Sequence, residues 1–196
     1  PPMDPWMANL KPFLRATPDQ HTASLPPQPD LPSPAYLADL AEVRDYGSAM
    51  SALRTPEQSE IAKFWTTNMV IQTNASYRNQ ATINGLNLMD TARLMAMGNM
   101  LASDSLIATF DVKYDLNFNF WRPVTAIRHT NPDGTYSATE LNTWMPVEMT
   151  PNFPEYVAGH GSFVAAQAEL YAEFFGLGTD PAVTIDLDSL ATHTTR

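Results

Sequence analysis

The chain has 196 residues, 44% of them hydrophobic, enough for one domain with a sizeable core and too few for two comfortable ones. Its formal net charge of -10 and pI of about 4.6 set a nucleic-acid partner aside, because an acidic surface repels phosphate backbones. No apolar run is long enough to span a bilayer, and the lack of cysteine removes disulfides, thiol catalysis and cysteine metal sites.

Residues 1–34 hold ten of the seventeen prolines. Proline fixes φ and lacks a backbone donor, so this stretch reads as an extended arm lying on the core, with Trp6, Phe13 and Leu31 as its expected anchors. A disordered leader is the alternative. The start at Pro1-Pro2 points to a processed chain or a fragment. From Tyr36 the pattern turns helical, with Leu37, Leu40, Ala41, Val43 and Met50 at roughly helical spacing. Thr55-Pro56-Glu57-Gln58 is a start signal: Thr caps, Pro occupies the first turn and Gln58 closes a capping box. The helix it opens is expected to carry Ile61, Phe64, Trp65, Met69 and Ile71. Asn74-Ala75-Ser76 matches a glycosylation sequon, a triplet common by chance.

A long apolar-periodic stretch from about Leu86 to Phe110 predicts a core helix. Asn131-Pro132-Asp133-Gly134 predicts a turn, with Pro second and Gly fourth. Leu141 to Pro154 reads as a packed loop. A last helix is expected from about Gly161 to Phe175, with Phe163, Ala166, Leu170 and Phe174 on one face and Gly176 as its C-cap. No repeat and no convincing strand ladder emerges. The expected fold is all-α: a helical bundle with long loops over residues 35–196, preceded by the Pro-rich arm of residues 1–34.

Two segments carry the chemistry. The first, Lys113 to Arg128, sets Lys113 and Arg122 in an acidic, mostly apolar region. The planar guanidinium fork suits an oxyanion, but alone the segment reads first as a surface arginine paired with Asp111 or Asp115. The second, Pro154 to Ser162, flanks His160 with Gly159 and Gly161 just ahead of a helix. Free N–H groups at a helix start attract anions, glycine permits close approach, and histidine exchanges protons near neutral pH. Alone, this reads first as a structural turn.

Together the segments, with RTPEQSEIAKFW at 54–65, DTARLMAMGNM at 90–100, FWRPVTAIR at 120–128 and TPNFPEYVAGHGS at 150–162, resemble the vanadium-dependent haloperoxidase-like branch of the phosphatidic-acid-phosphatase type-2 and acid phosphatase superfamily. The resemblance spans roughly residues 35–178. It implies an oxyanion pocket between helices for vanadate, or phosphate in the phosphatase relatives. By match, Arg122 and Lys113 would hold the oxyanion, the Gly159 amide would donate to it, and His160 would be the catalytic acid–base. The implied reactants are hydrogen peroxide and a halide, giving hypohalous acid at a Lewis-acidic vanadium. No further metal site is implied, and the resemblance points to a secreted or extracytoplasmic protein.

The chain departs from the pattern in three places. Eight residues separate Lys113 from Arg122, where the family has six. On one helix seven positions on falls about 20° short of two turns, whereas nine is about half a turn off. Either a local loop restores Lys113 or Asp115 takes its place, and the likeness of DVKY to the family's DAKY favours the loop. Ala158 stands where the family has serine, which removes a hydroxyl donor; Ser162 is not expected to replace it. The distal Arg and His motif is absent, and nothing around His193 or Arg196 resembles it, so the chain is expected to need a further segment or second chain for activity. Three readings follow: a haloperoxidase-type oxidoreductase, a phosphatase-type hydrolase on the same scaffold, and a non-catalytic relative. A Ser162 triad and a zinc site of His129, His160 and His193 lack supporting spacing.

Overall fold

The computed structural model describes residues 1–17, 24–176 and 186–196. Helices dominate, as expected for an all-α bundle: α1 Pro34–Gly47, α2 Pro56–Phe64, α3 Met69–Ile83, α4 Leu88–Tyr114, α5 Pro123–His129 and α6 Gly159–Phe175. A two-residue antiparallel ribbon, β1 Asp188–Ser189 against β2 Thr194–Thr195, is the one sheet among the described residues. None of the described helices is long and apolar enough to cross a membrane.

The 27-residue α4, about 40 Å long at 1.5 Å per residue, is the axis of the fold. It packs against α3, α6 and a 3-10 turn of the arm, Pro5–Asn9, while α1 packs on α5. Tyr77 of α3, Leu94 of α4 and Leu170 and Tyr171 of α6 form the core cluster, flanked by Met95, Met97 and Leu101. Gly98 makes the α3–α4 approach possible: a Cβ there would lie 2.4 Å from the Tyr77 ring. Inside this core the Tyr77 hydroxyl donates to Gln167 Oε1, and the Tyr171 hydroxyl to Ser76 Oγ at 3.0 Å.

Several sequence signals match the structure. Thr55 and Gln58 exchange both capping-box bonds. Gly176 caps α6 in the left-handed region at φ 66°, and Gly134 closes its turn through a bond to the Asn131 carbonyl. Phe163 and Leu170 are buried on α6, with Ala166 and Phe174 partly so.

Others are corrected. The helix expected from Thr55 through Ile71 is two helices. The chain leaves α2 at Trp65, and Asn68 restarts it as the α3 N-cap, its side chain accepting from the Val70 and Ile71 amides. Asn serves caps better than helix interiors because its side chain bonds nearby amides. The break seats the ribbon. Ser189 Oγ meets Thr67 Oγ1 at 2.6 Å and donates to the Phe64 carbonyl at 2.8 Å, and Gln72 donates to the Asp188 carbonyl at 3.0 Å. Met50 lies beyond α1 and is 90% exposed. The 141–154 loop is fixed by polar bonds, Trp144 Nε1 to the Arg44 carbonyl and Arg128 Nε to the Trp144 carbonyl, and leaves Met145 and Met149 exposed.

Trp6, Phe13 and Leu31 are exposed rather than anchoring the arm. The arm is held instead by the Asp104 carboxylate on α4, 1% exposed, which accepts from the Phe13 and Leu14 amides at 2.7 Å and from that of Arg15 at 3.2 Å. An ionised carboxylate without such donors is costly to bury, so this three-amide clasp is what permits an aspartate on the inner face of α4. Residues 18–23 of the arm lie outside the described residues.

Candidate functional site

α4 ends at Tyr114, with Asp115 as its C-cap. The Asp115 side chain then accepts from the Asn117 amide, the chain turns, and Arg122 becomes the N-cap residue of α5 ahead of Pro123. Lys113 and Arg122 therefore do not share a helix, and helical-wheel spacing does not apply between them. The intervening turn brings Lys113, not Asp115, beside Arg122 on one cavity.

Both cations grip the loop that leads to α6. Lys113, 1% exposed, donates from Nζ to the carbonyls of Pro154 at 2.9 Å and Glu155 at 3.0 Å. Arg122 donates from Nε to the Phe153 carbonyl at 2.7 Å and from Nη1 to Glu155 Oε2 at 2.7 Å. The Phe153 ring serves both, 4.8 Å from Lys113 Nζ and 4.6 Å from the Arg122 guanidinium carbon. Such cation–π contacts partly replace lost hydration. Burial, and then repulsion from Arg122, pull the Lys113 ammonium down to about 8, against a smaller upward pull from Glu155. Sequence spacing offered Asp111 or Asp115 as partners for Arg122; the carboxylate paired with it is Glu155, 33 residues on.

Across the cavity stands the N-terminus of α6. Ala158 is its N-cap and supplies no side-chain cap. The first intrahelical bond is Ser162 N–H to the Ala158 carbonyl, so the amides of Gly159, His160 and Gly161 precede the helical ladder. Added Cβ atoms at Gly159 and Gly161 would meet nothing closer than 3.9 and 3.5 Å, so packing does not demand glycine at either position. His160 is exposed, its ring edge-on to Trp65 at 6.4 Å.

The four residues singled out by sequence, Lys113, Arg122, Gly159 and His160, line one cavity of about 590 Å³. Thr66, Thr67 and Asn68, from the break between α2 and α3, line it too, as do Met3, Asp4 and Met7 of the arm. Periodicity signalled none of these rim residues. Glu155 was missed as well, although its place two residues after Phe153 in the FPEY string is a usable signal. Ser162 points elsewhere: its hydroxyl donates to the Ala158 carbonyl at 3.0 Å, and it lines a separate cavity beside Leu101 and Val112. His193 and Arg196 do not line this cavity; Arg196 lies 3.5 Å from Glu60 and 3.9 Å from Glu57.

The donor set fits a single oxyanion. Arg122 Nη2 and the third Lys113 N–H have no partner among the described residues, and Gly159 and His160 at the α6 start line the same space. Ala158 adds no hydroxyl, and Glu155 holds one edge of the guanidinium.

The chain is thus a helical bundle in which the N-terminus of one helix, α6, shares a cavity with a cation pair. The chain matches the VCPO second helical-bundle domain over residues 93–195, more than half its length, and belongs to that family, which makes its relationship vanadium haloperoxidase-like. The match takes in all four singled-out residues and the ribbon. No curated protein and no solved structure matches the chain.

Proposed function

We propose that the cavity between α4, α5 and α6 binds vanadate, with phosphate as its competitor, and that it belongs to a haloperoxidase-type oxidoreductase. The observation that carries this reading is the convergence of Lys113, Arg122, Gly159 and His160 on one cavity in a chain of the VCPO second helical-bundle family. Bound vanadate supplies Lewis acidity toward hydrogen peroxide without a change of oxidation state. The overall conversion takes peroxide, halide and a proton to hypohalous acid and water.

The chain's own residues supply position and charge. Arg122 orients the oxyanion through Nη2, its plane fixed by the Phe153 carbonyl and Glu155. Lys113 adds a second positive charge whose position is fixed by two carbonyls. The Gly159 amide donates from the α6 N-terminus, where unpaired N–H groups and the helix dipole favour an anion. His160, at the solvent side, takes up or delivers the proton at its ring nitrogen. A further segment or chain supplies the distal Arg and His that the family resemblance calls for; in support, neither His193 nor Arg196 lines the cavity.

The test is bromination of a phenolic dye with peroxide and bromide, before and after vanadate addition, in the wild type and in His160→Ala. The expected result is vanadate-dependent turnover that the variant loses. Hydrolysis of a phosphate monoester in place of bromination would move the reading to the hydrolase alternative. No turnover of either kind with vanadate bound would leave the chain as an oxyanion-binding relative.

A further inference from the structure

Glu155 sits where a multiply charged ligand would pay most for it. Its carboxylate lies 2.7 Å from Arg122 Nη1, its backbone carbonyl accepts from Lys113, and it lines the oxyanion cavity alongside Asp4. Lys113 and Arg122 give two positive charges; Glu155 and Asp4 return two negative ones. With His160 neutral the cavity wall carries no net charge. That is an unusual provision for a dianion, since each added ligand charge meets the full repulsion of the carboxylates as well as the full attraction of the cations.

We propose that Glu155 is the specificity-determining residue of this cavity, a fixed negative charge that makes it select singly charged over doubly charged oxyanions. The proposal rests on the oxyanion reading of the cavity and deepens it. Phosphate monoesters carry about -1.5 to -2 charges at neutral pH, whereas vanadate carries mainly one. A carboxylate on the binding arginine therefore biases the same cation pair away from phosphate monoesters and toward vanadate. Glu155 is well placed for this because its charge is held, not free to swing. The Arg122 pair fixes one end, and its own amide donates to the Phe120 carbonyl at 3.0 Å.

The test uses tetrahedral anions of fixed charge, so that ligand protonation plays no part: perrhenate with one charge and sulfate with two. Their affinities are measured by calorimetry at one pH for the wild type and for Glu155→Gln, which keeps the shape and removes the charge. Coulomb energy scales with ligand charge. Removal of the carboxylate is therefore expected to strengthen perrhenate roughly threefold to tenfold and sulfate by about the square of that factor. Hydration differences between the anions cancel in each ratio. Equal gains for the two anions would mark a steric role and overturn the proposal, as would no gain. Should Glu155→Gln fail to fold, Glu155→Asp retracts the charge and must favour sulfate over perrhenate in the same sense but by less; a change equal for both anions overturns the proposal there too. Failure of wild type and variant alike to bind either anion would instead sink the oxyanion reading itself, and this proposal with it.

Discussion

The two walls of the cavity are built on opposite terms. On the α4–α5 wall, Lys113 and Arg122 are largely satisfied by the chain's own groups: three carbonyls, one carboxylate and the Phe153 ring. On the α6 wall, the Gly159, His160 and Gly161 amides stand ahead of the helical ladder and His160 is exposed. A buried cation must be paired for the chain to fold at all, whereas amides at an open helix end are served by water until a ligand arrives. The cation wall is therefore expected to carry stability as well as positive charge, and the helix wall to contribute little to stability.

Substitutions separate the two walls. Arg122→Ala leaves the Phe153 carbonyl and the Glu155 carboxylate without their donor, and it is expected to cost about 1–3 kcal/mol of stability, read by urea unfolding, together with oxyanion binding. A second expectation concerns pH. The Lys113 ammonium is held near 8 in the folded chain against 10.5 ordinarily, so between about 8 and 10 the unfolded chain binds more protons and stability rises with pH. Burial raises the Tyr77 and Tyr171 hydroxyls, the latter to about 12, which reverses the slope above about 10. Lys113→Met should remove the rise, and oxyanion affinity in the wild type should fall as pH passes about 8. Melting curves and anion titrations across this range check both.

On the helix wall, Ala158→Ser provides an N-cap hydroxyl that α6 lacks, for a gain of about 1 kcal/mol, and adds a donor near the cavity that should tighten oxyanion binding severalfold. The smallest effect on stability is expected from His160→Ala, within about 0.5 kcal/mol because the side chain is exposed, while dye bromination is lost. Destabilisation by His160→Ala comparable to that by Arg122→Ala would erase the distinction between the walls.

Much of the helical plan was legible because it is locally encoded. The Thr55–Gln58 box, Gly176 and the apolar period of α4 and α6 each act over a few residues. The Lys113–Arg122 spacing was misleading only while a continuous helix was assumed; the end of α4 at Tyr114 resolves it. What stayed hidden depends on distant partners. The break at Trp65–Asn68 is seated on Ser189, the arm is clasped by Asp104 rather than by its aromatics, and Arg122 finds its carboxylate 33 residues away. Of the site, the cations and the Gly-His-Gly helix start were readable; the charge that opposes them and the arm residues at the rim were not.

A titration with orthovanadate, followed by the backbone amide signals of Gly159, His160 and Gly161 in a nitrogen–proton correlation spectrum, addresses the cavity as an oxyanion site. Saturable shifts of these three signals, lost in Arg122→Ala, are the expected result. Signals that stay in place at saturating vanadate, or shifts that survive in Arg122→Ala, would contradict it.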